Sequence, residues 1–193
     1  MNDTLLWYTT RGAGVVTLLL FTAVVVLGLL TASRFQARGW PRFLSAAVHR
    51  DLALVALVFL GLHIVTAVVD PFTHLGLSAA LVPFGSYYRT LWLGLGVVAF
   101  ELMMAITLSS LVRRWISPRL WRLIHWASYA SWPVAVLHGV GTGTDTSAPW
   151  MLAVTALCVV SVLVALGFRR SGGRDPLAGE RVIGRDALAG RVQ

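Results

Sequence analysis

Five long apolar segments divide the chain and limit it to a fold built for lipid. A helix needs about 20 apolar residues to cross a bilayer. Segments of roughly this length cover residues 15–32, 46–69, 90–112, 120–140 and 149–168. Only 12% of the residues are charged, about half the share usual in a soluble domain. We therefore predict an all-α integral membrane protein, a helical bundle of about five transmembrane helices.

Arginine is unevenly distributed over the connections between these segments. The chain has 16 basic residues, all of them arginine, and eight acidic residues, for a net charge of +8. The arginines cluster in the first connection, the third connection and the tail, whereas the second connection has only Arg89 and the fourth has none. Because cytoplasmic loops are enriched in basic residues, this pattern predicts a multi-pass protein with its N-terminus outside and its C-terminus in the cytoplasm. We expect the membrane to be a bacterial cell membrane. Charge placed between lipid-embedded spans argues against nucleic acid as a partner.

The ends of the chain and its second connection carry weaker signals. The first segment follows Asp3 rather than a basic stretch, and it is too long for a signal peptide, so we interpret it as a retained helix. The apolar middle of the second connection, 75–81, predicts a short helix on the outer surface. We assign residues 1–168 to one membrane domain. We expect 169–193 to be a disordered cytoplasmic tail, with a docking segment for a soluble partner as the alternative.

Four histidines lie in two of the apolar segments, two in each. His49 and His63 are 14 residues apart, and His125 and His138 are 13 apart, so each pair spans roughly 20 Å of helix. The two segments run parallel, which places His49 with His125 near the cytoplasmic side and His63 with His138 near the outer side. Histidine is an axial ligand of haem iron. The pattern predicts an inner and an outer haem, each held between two facing helices.

The helical phase of the two pairs differs. Fourteen residues fall about 40° short of four turns, whereas 13 residues leave His125 and His138 about 140° apart on an ideal helix. The second pair therefore needs a local reshaping of its helix. Pro133, which lies between the two histidines, is the candidate, because proline kinks or rewinds a helix.

Cationic and hydroxyl groups near the histidines are candidate partners for haem propionates. They are Arg50, Arg122 and Tyr129 at the inner level and Arg89 at the outer level. The alternative for each arginine is that it reaches the lipid headgroups, and the alternative for the tyrosine is an interfacial position. Three other residues have no predicted role in binding haem. Cys158 is expected to face lipid or a helix, and Glu101 the bundle interior or a proton path. His74 is expected to be solvent-exposed in the outer connection, with contact to an outer acceptor or metal ion as the alternative.

These residues resemble the ferric reductase-like transmembrane domain, the haem core of ferric reductases, NADPH oxidases and the membrane subunit of the bacterial methionine sulfoxide reductase system. The resemblance covers nearly all of 12–145. Its elements are His49-Arg50-Asp51 with His63, Trp121-Arg122-Leu123-Ile124-His125 with Tyr129 and His138, the stretch 141–145, and the segment from Pro83-Phe84-Gly85 to Ser109-Ser110. It implies two b-type haems that carry electrons from the cytoplasmic face to an outer acceptor.

The chain departs from the larger members of that family after its last apolar segment. About 25 polar residues follow residue 168, and none of them forms the Gly-x-Gly-x-x-Gly pattern of a nicotinamide-binding unit. The resemblance therefore implies a haem-binding membrane component of an oxidoreductase that needs a separate donor. That donor is a flavin reductase, FMN or FAD bound at the cytoplasmic rim, or membrane quinol. The acceptor is ferric ion or an outer redox protein.

Two other functions use the same histidines. The chain could be a non-redox transporter of a metal ion, or it could be a haem sensor or assembly factor. Transport sites for zinc or iron usually combine histidine with carboxylates or thiolates. Glu101 is the only acidic residue well inside a predicted span, which favours haem.

Overall fold

The computed structural model describes residues 2–33, 42–71 and 75–171, and every regular element in these ranges is helical. The helices are α1 (Asn2–Ala32), α2 (Arg42–Val69), α3 (Leu77–Leu81), α4 (Thr90–Leu111), α5 (Pro118–Trp126), α6 (Ser128–Thr142) and α7 (Pro149–Arg170). A 3₁₀ turn, Arg113–Trp115, precedes α5. Within the described ranges four helices, α1, α2, α4 and α7, are long and apolar enough to cross a membrane. The prediction of an all-helical chain is thereby confirmed for the described residues, and four helices suit a membrane where about five were predicted.

Polar side chains inside the long helices are satisfied by the backbone of their own helix. Thr17 donates a hydrogen bond to the carbonyl of Ala13 at 2.7 Å, and Thr66 donates to the carbonyl of Leu62 at 2.8 Å. A hydroxyl without a partner is costly where there is no water. These local bonds allow threonine to occupy apolar helices at little cost.

The segment 120–140, predicted as one helix, is two helices joined at Ala127. The Ala127 N–H donates to the carbonyl of Ile124, and the Ala127 carbonyl accepts from the Ala130 N–H, both at 3.0 Å. These are the tight bonds of a 3₁₀ turn. Pro133 lies inside α6, which continues past it, because a proline removes only its own backbone bond and the neighbouring turns keep theirs. The break between the two histidines is therefore at Ala127. The sequence-based prediction of a break at Pro133 was wrong.

The hydrophobic core lies at the middle depth of the bundle. Leu29 of α1, Ala56 of α2, Trp132 of α6 and Cys158 of α7 are all buried in one cluster. Ala56 is seven residues from both His49 and His63, and Trp132 lies between His125 and His138. The indole N–H of Trp132 donates to Thr22 Oγ1 at 3.0 Å. Cys158 thus faces other helices, in agreement with one of the two positions predicted for it.

α2 and α6 have different main packing partners, although both contact α1. In the described ranges α2 packs mainly on α1, and α6 packs mainly on α4 and less on α1. At one of the two histidine levels a cavity lies between α2 and α6, and His63 and His138 line it.

The remaining predictions fall on the periphery. The short helix expected in the outer connection is α3, and its Leu77 and Leu81 are 71% and 59% exposed. Glu101 is exposed on α4, so it is not part of the packed interior. His74 and the tail beyond residue 171 lie outside the described residues.

Candidate functional site

The four histidines meet in two pairs, and both pairs have the same separation. The ring centres of His49 and His125 are 6.3 Å apart, and those of His63 and His138 are also 6.3 Å apart. A metal–imidazole bond is about 2.0–2.1 Å, and the ring centre lies about 1.2 Å behind the bonding nitrogen. Two imidazoles on opposite sides of one metal ion therefore have centres about 6.4 Å apart. Both pairs have the spacing that one bridging metal ion requires.

Three of the four rings are oriented by a backbone carbonyl of the neighbouring helix. In each case Nδ1 donates and the carbonyl oxygen accepts. The bonds run from His49 to Val24 at 3.0 Å, from His63 to Thr10 at 2.8 Å, and from His138 to Trp92 at 2.9 Å. A carbonyl can only accept, so the proton is on Nδ1 and Nε2 is left as the free ligand atom. Outer partners of this kind fix the tautomer and orientation of metal-bound histidine.

A glycine lies four residues after each of these carbonyls and makes room for the ring. A Cβ atom would come within 3.0 Å of the His63 ring at Gly14, within 3.3 Å of the His49 ring at Gly28, and within 2.5 Å of the His138 ring at Gly96. We call each carbonyl with its following glycine an imidazole seat. The seats are Thr10/Gly14, Val24/Gly28 and Trp92/Gly96.

The two seats on α1 have the same spacing as the two histidines on α2. Gly14 and Gly28 are 14 residues apart, as are His49 and His63. The order reverses between the two helices: the earlier seat holds the later histidine. The second helix is thus in antiparallel register with the first. Sequence reasoning missed the seats, although the matched glycine and histidine spacings were available as a signal.

His125 is held differently from the other three. Its Nδ1 is buried and has no hydrogen-bond partner among the described residues. Its ring stacks on Trp121, with centres 4.9 Å apart and planes 23° apart. The guanidinium of Arg113 lies 4.1 Å from the centre of the Trp121 ring.

A cavity of about 320 Å³ lies between His63 and His138, at the level predicted to be the outer one, and its volume is within the range of small-molecule sites. Its lining is largely apolar, with Arg11 as a basic group in the wall. The Arg11 guanidinium forms an ion pair with Asp145 at 2.7 Å and donates to Thr144. Arg11 was missed because the first apolar segment was predicted to begin at residue 15, whereas α1 begins at Asn2.

The arginines and the tyrosine predicted from the sequence lie near the histidine levels, but each has another partner. Arg50 pairs with Asp51 at 2.9 Å on an exposed surface. Arg122 donates to the carbonyl of Pro118 at 3.2 Å and is also exposed. At the outer level Arg89 donates to the carbonyl of Gly141 at 2.7 Å, and it is not among the residues that line the cavity.

The hydroxyl of Tyr129 accepts a hydrogen bond from Arg169 at the end of α7. That bond links α6 to α7. The cavity wall therefore carries Arg11 at the outer level, in place of the predicted Arg89.

The donor set distinguishes between kinds of metal site. No group of three or more histidine, cysteine, aspartate or glutamate side chains that could hold a metal ion occurs in the described residues. A tetrahedral zinc site usually takes three or four protein ligands. A haem iron needs only two, because the macrocycle supplies the other four. The two-histidine pairs fit haem.

Comparison with protein-family models, curated proteins and solved structures finds no match to the chain.

Proposed function

We propose that the chain is a transmembrane electron carrier that holds two b-type haems, one between His49 and His125 and the other between His63 and His138. Haem, when bound, would supply a one-electron redox couple. The chain would supply the axial ligands, their orientation and an apolar surrounding. The segment α5–α6 would form the fifth crossing. Electrons would enter from a cytoplasmic flavin protein, a rim flavin or quinol, and leave to ferric ion or an outer redox protein.

The observation that carries this proposal is the geometry of the two histidine pairs. Two independent pairs have the 6.3 Å separation of opposite axial ligands. Three of the four rings present Nε2 because Nδ1 is bonded to a carbonyl. Histidines that only filled a core would have no reason to share one spacing at two depths. The cavity that His63 and His138 line supports the same conclusion.

The depth of the two pairs supports transfer across the membrane rather than storage at one face. Fourteen residues of α2 separate the inner from the outer ligand, which is about 21 Å along the helix axis. That distance is a large part of the roughly 30 Å hydrocarbon core. A metal-ion transporter is disfavoured because the described residues offer pairs of ligands and no larger set.

The test is haem content and spectrum of the full chain purified in detergent. We expect about two haems per chain and a low-spin, six-coordinate b-type spectrum on reduction. The double variants His49→Ala/His125→Ala and His63→Ala/His138→Ala should each retain about one haem. His74→Ala, which changes the histidine outside the two pairs, is the matched control and should retain both. A wild-type chain that purifies without haem would refute the proposal.

Electron transfer across the membrane can be tested in sealed vesicles. With a reductant inside and a ferric chelate outside, the wild-type chain should support reduction of the chelate. Either double variant should abolish it, because each lacks one of the two levels. Chelate reduction that persists in both double variants would show that the histidine pairs are not the electron path.

A further inference from the structure

The fourth imidazole seat is missing from α4. The outer seat on this helix is Trp92/Gly96, and the seats on α1 are 14 residues apart. The same step along α4 leads from Trp92 to Ile106, and the residue four positions later is Ser110. The hydroxyls of Ser109 and Ser110 both donate to the Ile106 carbonyl, at 2.9 and 2.8 Å. The carbonyl that would accept from an imidazole is occupied, and the glycine is replaced.

Trp121 occupies the place beside Ser110. Its indole N–H donates to Ser110 Oγ at 3.3 Å, and the same hydroxyl donates onward to Ile106. A hydroxyl can accept and donate at once, so Ser110 connects the indole to the carbonyl of the missing seat. The face of the indole carries the His125 ring.

We propose that Trp121, anchored by Ser110, is the residue that positions His125. It does for the fourth ligand what a seat does for the other three. The inference rests on the proposed haem function. It adds that the inner level has one ligand held by stacking alone, so that loss of Trp121 opens the inner iron to a small neutral ligand such as carbon monoxide.

A hydrogen-bonded imidazole is held more firmly than an imidazole that is only stacked on a ring. A bond from Nδ1 to a rigid helix carbonyl fixes both the position and the rotation of an imidazole. Stacking limits rotation of the ring about its Cβ–Cγ bond but gives Nδ1 no directional bond. His125 also belongs to α5, a nine-residue helix separated from α6 by the turn at Ala127. Without Trp121, no hydrogen bond among the described residues would fix the orientation of the His125 ring.

The experiment uses the full chain carrying His63→Ala/His138→Ala, in which the inner haem is the only one left. Trp121→Ala is added and the protein is reduced under carbon monoxide. We expect the haem to stay bound through His49, to change from low-spin to high-spin, and to bind about one carbon monoxide per haem. Trp121→Phe, which keeps the stacked ring and loses the N–H, should bind less carbon monoxide than Trp121→Ala does. Ser110→Ala, which keeps the indole and loses its anchor, should also show a smaller effect.

Trp115→Ala is the matched control, because Trp115 is also near an arginine, with the Arg114 guanidinium 4.2 Å from its ring centre, and is 69% exposed. It should leave the spectrum low-spin and bind no carbon monoxide. If Trp121→Ala stays low-spin, the inference is wrong while the proposed function stands. If Trp121→Ala does not fold, the same conclusion follows when Trp121→Phe and Ser110→Ala both stay low-spin. Equal opening in Trp115→Ala would also overturn it. Absence of haem from the wild-type chain would overturn both.

Discussion

Gly96 gives the most direct test of the imidazole seats. A methyl group at this position would lie 2.5 Å from both Cε1 and Nδ1 of His138. Ordinary contacts between such atoms are about 3.5–4.0 Å, so in Gly96→Ala the ring must retreat by about 1 Å. The hydrogen bond from Nδ1 to the Trp92 carbonyl, now 2.9 Å, would then exceed the range of a hydrogen bond.

The expected cost follows from three contributions. A lost hydrogen bond costs about 0.5–1.5 kcal/mol, and overpacking costs about 1–3 kcal/mol. Replacing glycine by alanine inside a helix returns about 1 kcal/mol. Gly96→Ala should therefore lower the free energy of unfolding by about 1–3 kcal/mol and should displace His138 from the axial position. The measurement is haem per chain, with the fraction of high-spin haem, together with unfolding followed by circular dichroism in detergent.

The three seats form a graded series, with control glycines in α1 and α2. The approach distances of 2.5 Å at Gly96, 3.0 Å at Gly14 and 3.3 Å at Gly28 predict that alanine is most damaging at Gly96 and least damaging at Gly28. Gly12 and Gly61 have no atom within 4 Å of an added Cβ, so alanine there should leave haem binding unchanged. If Gly96→Ala binds haem as well as Gly12→Ala does, the seat is not what orients His138.

Two further predictions concern the core and the outer cavity. Thr22→Val removes the acceptor of the buried Trp132 indole and should lower the free energy of unfolding by about 1–3 kcal/mol. Thr31→Val loses only the bond that its hydroxyl donates to the Leu27 carbonyl at an exposed site, and it should change the free energy of unfolding by under about 0.5 kcal/mol. Equal losses in the two variants would contradict this prediction. Arg11→Gln should lower the midpoint potential of the outer haem and Asp145→Asn should raise it, because a positive charge stabilises the added electron. Shifts of the same sign in a redox titration would exclude a direct charge effect.

Much of the architecture could be predicted from the sequence because a chain surrounded by lipid has few alternatives to long apolar helices. Apolar length identified α1, α2, α4 and α7, and the pairing of His49 with His125 followed from the parallel course of two segments. The break at Ala127 could not be read. Alanine is the best helix former, so no local signal marks that turn, whereas Pro133 is a strong signal at a position where the helix continues.

The partners of the histidines were also not predicted from the sequence, for a different reason. A seat consists of a backbone carbonyl and the absence of a side chain, and neither is visible as a residue type with chemistry. The search for charged partners therefore led to Arg50 and Arg122, whose side chains are exposed. Only the antiparallel register of α1 and α2 shows why Gly14 and Gly28 stand where they do.

The placement of the histidine pairs has a consequence for stability. In the described residues α2 is held mainly by α1, and each α2 histidine faces a histidine of α5 or α6 with ring centres 6.3 Å apart. A group bound by both histidines of a pair would link α2 to α5–α6 at two depths. Binding to the folded state alone stabilises that state in proportion to affinity and concentration. Loss of haem should therefore lower the thermal midpoint of unfolding, whereas α2 should keep its packing on α1.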